Sequence, residues 1–386
     1  MAMPALAART PGGALRVETV SDARSFLEME PEWNRLVDTS ACPHPFLRHE
    51  WARCWWESFG SGRQLHVLTV KDGDEPVAIA PLMASHGRLY GMSVRRLELM
   101  HNDHSPRLDL IAGSRHEEAC RALWSELAPR RELWNVLQLP ALPVGSPTIE
   151  LLSELARADG FLLGVWPGER APYVSLGGSW DRYFGALKPK HRSNVRNRTR
   201  RLEQLGRVEL DVVCTPDPEA LDDGFRIEAA AWKGRAGTAI LCRRDTEEFY
   251  RRVAIRAAER GWLRLHFLRV GGRRVAFEYG LQYARRLYIL KLGYDPEYAR
   301  YAPQHLLSGL VIRDAIERGL SEYDFLGDGD TWKQDWADGL RQHCWLYILR
   351  PELHLRLAHG LKFRLLPELR RTRVYAGLRQ LLFGGR

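Results

Sequence analysis

The sequence predicts an α/β fold built by duplication of one small unit. Three observations carry this: a helix followed by an alternating hairpin in the first half, the same succession about two hundred residues later, and a further strand, helix and strand after each hairpin.

The elements follow in chain order. The leader MAMPALAARTPGGALRV is rich in small residues and is expected to be disordered over 1–15. SDARSFLEMEPEWNRLV reads as a helix opened by a Ser cap. HEWARCWWESFG reads as a second helix, whose Trp51, Trp55 and Phe59 recur at the spacing of a buried face. QLHVLTVKDGDEPVAIAPLM is a hairpin, two alternating apolar runs about a Lys-Asp-Gly-Asp-Glu turn. It leads to VRRLELMHNDHSPRLDLIAG, the helix HEEACRALWSELAPR and the strand WNVLQLPAL. In the second half the helix TEEFYRRVAIRAAERG precedes the hairpin WLRLHFLRVGGRRVAFEYGLQY. The strand RLYILKLGYD, the helix PQHLLSGLVIRDAIERG and the strand SEYDFLGDG follow. The Pro/Gly-containing stretch WPGERAPYVSLGG sets a boundary near Pro172. The expected domains are 16–172 and 173–350, followed by a basic amphipathic helical tail over 351–386.

Charge is distributed unevenly. The 386 residues carry a net +9, yet Lys188 to Arg201 alone contributes +7 and Pro351 to Arg386 contributes +6, so the remainder is −4. This points to local anionic partners, such as phosphates, nucleic acid or an acidic membrane surface. The first basic segment, LKPKHRSNVRNRTRRLEQLG, follows the Ser-capped SWDRYFGAL, and its Pro189 marks either a kink or a fresh first turn. Its apolar seam of Leu187, Val195, Leu202 and Leu205 is thin. A merely solvated helix would intersperse acids at i,i+4, and Lys188 to Arg201 has none, so a counter-ion is expected. The six cysteines show no CxxC or zinc spacing and read as reduced, mostly buried thiols. The leader lacks the charged-then-apolar pattern of a signal peptide. No apolar run approaches the roughly 20 residues that cross a bilayer, and the expected location is the cytoplasm.

Four stretches in order, WDRYFGALKPKHRSNVRNRTRRLEQLG, AAAWKGRAGTAI, GGRRVAFEYGLQY and LKLGYDPEYARYAPQHLLSGLVIRDAIERGLSEYDFLGDGDTWKQDW, resemble the CelD/BcsL-type acetyltransferase family of the GNAT superfamily. They are also similar to the FemABX aminoacyltransferases, which take amino acids from aminoacyl-tRNA. The resemblance covers roughly residues 30 to 350. It implies tandem GNAT-like domains, each a mixed, mostly antiparallel sheet flanked by helices. It further implies transfer of an acyl group, acetyl above all, from acyl-CoA to an amine or hydroxyl of a cell-envelope saccharide, a lipid-linked precursor or a small metabolite, without a metal. The donor would lie along Leu292, Gly293 and Tyr294 and at the helix start Pro303, Gln304 and His305, where a helix N-terminus favours an anion. The superfamily keeps a Gly-rich turn there; this chain has side chains. An acyl carrier protein or aminoacyl-tRNA donor, or a non-catalytic binding protein with a degenerate donor site, therefore stays open.

Acyl transfer needs a base, donors for the oxyanion and an acid for the leaving group. Glu278 interrupts an apolar strand and is either a general base facing a cleft or a solvent-face residue. Asp324 ends a strand where ligands bind in open sheets. Lys333 could neutralise a phosphate or oxyanion, or pair with Asp330 or Asp335; Trp336 accompanies it at the family's spacing. Trp232 and Lys233 read as acceptor binding or as a plain helix stop. Lys190, Arg192, Arg196 and Arg200 are the cations assigned to phosphates. The stretch His101, Asp103, His104 and Asp109 has no metal spacing and could shape an acceptor cleft between the halves. The tail reads equally as a segment for anionic membranes or as one packed on the parent domain.

Overall fold

The computed structural model describes residues 14–230 and 232–371, without the side chains of Trp232 and of residues 369–371. Most of the expected leader, and the tail beyond residue 371, lie outside the described residues.

Among the described residues thirteen strands form one sheet: β1 (Arg16–Val20), β2 (Gln64–Asp72), β3 (Glu75–Leu89), β4 (Met92–Leu99), β5 (Ile111–Ala112), β6 (Val136–Pro143), β7 (Leu162–Ser175), β8 (Val208–Val213), β9 (Leu263–Val270), β10 (Arg273–Tyr283), β11 (Arg286–Tyr294), β12 (Glu322–Asp324) and β13 (Gly339–Leu349). Their order is β1-β2-β3-β4-β6-β13-β7-β12-β11-β10-β9-β8, with β5 beside β3. The order is a palindrome of the duplicated unit. β1 to β4 correspond to β8 to β11, and the parallel pair β4/β6 corresponds to the parallel pair β11/β12. The last strand of each unit is exchanged: β7 follows β6 in sequence but pairs with β12, and β13 follows β12 but pairs with β6. β7 and β13 pair with each other along most of their lengths, so the sheet is continuous across the middle. The expected boundary near Pro172 falls inside β7.

The helices ahead of the two hairpins, His49–Phe59 and Arg244–Glu259, pack on each other. Trp51 meets Phe249 edge-on at 5.1 Å, and Phe59 lies 5.2 Å from the same ring. The Trp51, Trp55 and Phe59 stripe thus forms core between the two units. The first helix is capped by Asp22, not by the preceding Ser21, and breaks into Ala23–Glu28 and Glu30–Thr39. Pro189 opens a new helix, Pro189–Glu203, after Trp180–Ala186 ends and Leu187 turns extended. Three of the six cysteines, Cys42, Cys214 and Cys242, are exposed, against the expectation that most are buried.

Candidate active site where the sheet splits

β11 and β12 pair over only three residues each, Arg286 to Tyr288 against Glu322 to Asp324. Beyond them β11 runs on to Tyr294 while the chain after Asp324 turns away, and the gap opens a cleft of about 430 Å³. Against β10 the register shifts so that Tyr279 faces Lys291 and Gly280 faces Ile289, leaving Leu290 as the extra residue of a bulge. Of the residues singled out in the sequence, Leu292, Gly293, Tyr294, Gln304, His305, Lys233 and Lys333 line the cleft, and Glu228 and Lys291 line it too.

A second cavity, of about 210 Å³, lies between the units and is lined by the His101 to Pro106 segment, Glu169, Tyr250, His343 and Trp345. Leu290, Lys291, Leu326 and Gly327 line both cavities, so the two spaces meet at the bulge. The stretch from His101 therefore does shape a cleft between the halves. In the first unit β4 and β6 likewise pair over three residues each, and Leu108, just beyond this segment, donates its N–H to the Ala141 carbonyl at 3.1 Å.

The loop across the junction is tied from both ends. Leu326 has φ of 50°, the left-handed region a branched residue avoids, so the surrounding structure must over-determine it. Its N–H donates to Asp324 Oδ1 at 3.0 Å, and its carbonyl accepts from Lys333 Nζ at 3.1 Å. Lys333 also donates to the Asp328 carbonyl at 3.1 Å and stands 3.9 Å from Asp330. Burial pushes its pKa below the usual lysine value, against the pull of Asp330.

Several expected site residues sit elsewhere. Asp324 is fully buried and lines neither cavity; Arg107 at 2.7 Å and Arg341 at 2.8 Å pair with its Oδ2. Arg107 comes from the first unit and Arg341 from β13, so this carboxylate joins the units. Glu278 faces neither solvent nor cleft. It is buried beneath the helix Pro303–Glu317 and accepts from Gln304 Nε2 (2.8 Å), Ser308 Oγ (2.6 Å) and Tyr323 OH (3.0 Å). Burial raises its pKa to about 7 even against these three donors. Its one route to the cleft is through Gln304. Trp336 is buried, with its ring 4.4 Å from that of His191 and against Gly309, and it packs the helix rather than touching a ligand. Pro303 is buried and does not line the cleft.

Lys233 stands in a short helix, Trp232–Arg235. Its Nζ donates to the Leu292 carbonyl at 2.7 Å and lies 3.3 Å from Glu228. The Trp232 side chain lies outside the described residues. Lys291 is the cation at the junction. Burial is the main reason its pKa drops to about 8, and Glu228 partly opposes the shift. The same reading that singled out Glu278 could have found it: one charge interrupting the apolar run YILKLGYD.

The turn at the cleft's outer end is unlike an open phosphate cradle. Pro303 has no N–H, and the His305 and Leu306 amides donate to the Ala302 carbonyl at 3.0 and 3.4 Å. Gln304 turns its Nε2 inward to Glu278, and its buried Oε1 has no partner among the described residues. The cationic helix lies alongside, against Pro296–Tyr301 and Pro303–Glu317. Lys190, Arg196 and Arg200 are exposed and Arg192 is half-buried, and none lines the cleft. Arg198 does not line the cleft either, but it is half-buried, seven residues on from the buried His191, and its charge acts on His305. Burial, with Arg198 adding to it, lowers the His305 pKa to about 4. Apart from Lys188, 4.0 Å from Asp335, no Lys or Arg of this helix has an ion-pair partner among the described residues.

An acetyltransferase (GNAT) domain model matches residues 189–334, which hold the split strands, the helix at Pro303 and the cationic helix. The fold is accordingly a tandem GNAT-like arrangement on one mixed sheet. Among solved structures, FemX is similar, with a TM-score of 0.61 at 15% identity, over 85% of this chain and 98% of that one. So is the C-terminal domain of a putative lysylphosphatidylglycerol synthetase from Agrobacterium fabrum, with 0.52 at 12% identity, over 87% and 95%. A conserved protein of unknown function from Bacteroides thetaiotaomicron gives 0.51 at 13% identity, over 87% and 100%. At these identities the likeness is one of fold. No protein of curated function matches the sequence.

Proposed function

We propose that the chain is an acyltransferase that holds an acyl donor in the cleft beside Ile289–Tyr294 and an amine or hydroxyl acceptor in the cavity at His101–Pro106. The observation that carries this reading is the meeting of the two cavities at Leu290 and Lys291, which lets two reactants held in separate spaces come together there. The acceptor's lone pair attacks the acyl carbonyl carbon, and neutral Lys291 takes the proton that the nucleophile loses. The tetrahedral intermediate then expels the donor's thiolate or alkoxide, which receives that proton from Lys291. Lys333 and Asp324 hold the Leu326 loop in place, and Glu278 fixes Gln304 at the donor wall; all three act as positioning residues.

The donor reads as acyl-CoA, acetyl-CoA in particular. Leu292, Gly293 and Tyr294 would run along its pantetheine arm, and Arg198 would meet phosphate. The resemblance to CelD/BcsL-type acetyltransferases supports a cell-envelope saccharide or lipid-linked acceptor, handled from the cytoplasm with peripheral membrane contact through the tail. One observation favours a second donor, aminoacyl-tRNA: the run Lys188 to Arg201, seven cations without an acid, flanks a turn that offers little to a single pyrophosphate. Initial rates with acetyl-CoA and with aminoacyl-tRNA at two salt concentrations distinguish the donors. Arg198→Glu with Arg200→Glu should abolish turnover of the correct donor in a folded protein, and unchanged turnover would remove the helix from the mechanism.

A further inference from the structure

The chain is helical from Leu353 to Arg371, through a π-type turn at Leu361–Leu365. One face of this helix is firmly seated. Leu355 and Ala358 are fully buried, and the Phe363 ring lies 5.6 Å from Tyr347. It fits because residue 164 is Gly, where a Cβ would come within 2.2 Å of that ring. His359 Nε2 lies 2.6 Å from the Leu163 carbonyl.

The opposite face is bare. Leu353, Leu357 and Leu365 are 78%, 65% and 51% exposed, close to a single i,i+4 line, and no described residue covers them. Arg356 and Arg364 stand exposed beside them. The whole segment Pro351 to Arg386 holds eight Lys or Arg against two Glu. Exposed leucines set among cations match a surface that is apolar beneath and anionic above. A second copy of the chain matches poorly, because the helix from Leu353 to Arg371 has five Lys or Arg against one Glu, and a twofold contact through it would bring +4 against +4.

We propose that this helix docks the protein on an anionic lipid bilayer, with the three leucines entering the acyl boundary and the arginines meeting headgroup phosphates. Trp345 lines the second cavity and stacks at 6.3 Å on Tyr347, against which Phe363 packs, so three rings link the seated face of the helix to that cavity. Docking itself is independent of the acyl-transfer reading; delivery of a lipid-linked acceptor rests on it.

The test is flotation of the full chain with vesicles of phosphatidylcholine alone and of phosphatidylcholine with phosphatidylglycerol. The wild type should float with the anionic vesicles only, and less at high salt. A Leu353→Ser, Leu357→Ser, Leu365→Ser variant and an Arg356→Glu, Arg364→Glu variant should each partition about tenfold less. These positions are exposed, and an unchanged thermal transition confirms that the variants fold. Equal partitioning of either variant, equal binding to phosphatidylcholine alone, or a concentration-dependent dimer abolished by the serine changes would overturn the proposal. Loss of flotation with turnover of a soluble acceptor intact supports docking as a separate function. Flotation by a protein inactive toward every donor would sink the acyl-transfer reading and leave docking standing.

Discussion

Lys291→Met offers the sharpest test of the chemistry at the junction. Its ammonium is desolvated between the two cavities, which places its pKa at about 8. At about pH 7.5 roughly a quarter of such lysines are neutral, against about one in a thousand for an ordinary lysine near 10.4. A base at this position thus has a few hundredfold more of its working form than a solvated lysine. General-base catalysis contributes about 10² to 10⁴ in rate, so Lys291→Met should lower kcat/KM by that order. The sign in pH is fixed by the same group: kcat/KM of the wild type should rise as pH passes through about 8 and then level, and the variant should lose that limb. The assay is acyl transfer to the correct acceptor from about pH 6 to 10. A variant that keeps the limb would refute the role, and so would a wild type whose rate falls through pH 8, which would make the cation the working form.

Three further outcomes follow from the packing. Asp324→Ala strands the buried Arg107 guanidinium and should cost about 3–5 kcal/mol in chemical denaturation; an unchanged midpoint would deny that this pair ties the units together. Glu278 has a folded-state pKa raised from 4.5 to about 7, so its native form binds the extra proton, and stability should fall between those pH values as the unfolded chain ionises first. The full loss is roughly 3 kcal/mol, and Glu278→Gln should flatten that stretch of the stability curve; an equally steep curve in the variant would contradict the burial assigned to this acid. Gly293→Ala would place a Cβ 2.5 Å from the Glu228 Cα, a backbone atom that cannot turn aside, and should cost about 1–3 kcal/mol along with donor binding; a neutral effect would mean that the strand and helix are less closely apposed.

Much of this architecture is legible in the sequence because alternation and helical spacing are local signals. Both hairpins, the helices ahead of them and the strand β11 with its helix fall where the patterns place them. The exchange of β7 and β13 is not legible, because which neighbour a strand chooses is decided by tertiary pairing and leaves no periodicity. The site divides in the same way. Leu292, Gly293, Tyr294, Gln304, His305, Lys233 and Lys333 reach the cleft, since they follow from position along one strand, one helix start and nearby turns. Glu278 and Asp324 look alike in sequence, each an acid in an apolar strand, but the structure buries both, one under a Gln–Ser–Tyr cover and one between two arginines. Arg107 lies 217 residues from Asp324, and no local pattern announces such a partner. On the cationic helix, total charge was the visible signal, while Arg198, whose charge acts on His305, is selected by the stripe it shares with His191.

The central claim is that a donor occupies the split between β11 and β12 with its phosphates toward the cationic helix. Amide hydrogen exchange of the whole protein, with and without saturating coenzyme A or aminoacyl-tRNA, tests it most directly. The account expects slowed exchange at Ile289–Tyr294, at the start of the Pro303–Glu317 helix and along Pro189–Glu203, with one of the two ligands. Saturating binding of either ligand that protects other segments and leaves these three unchanged would contradict it.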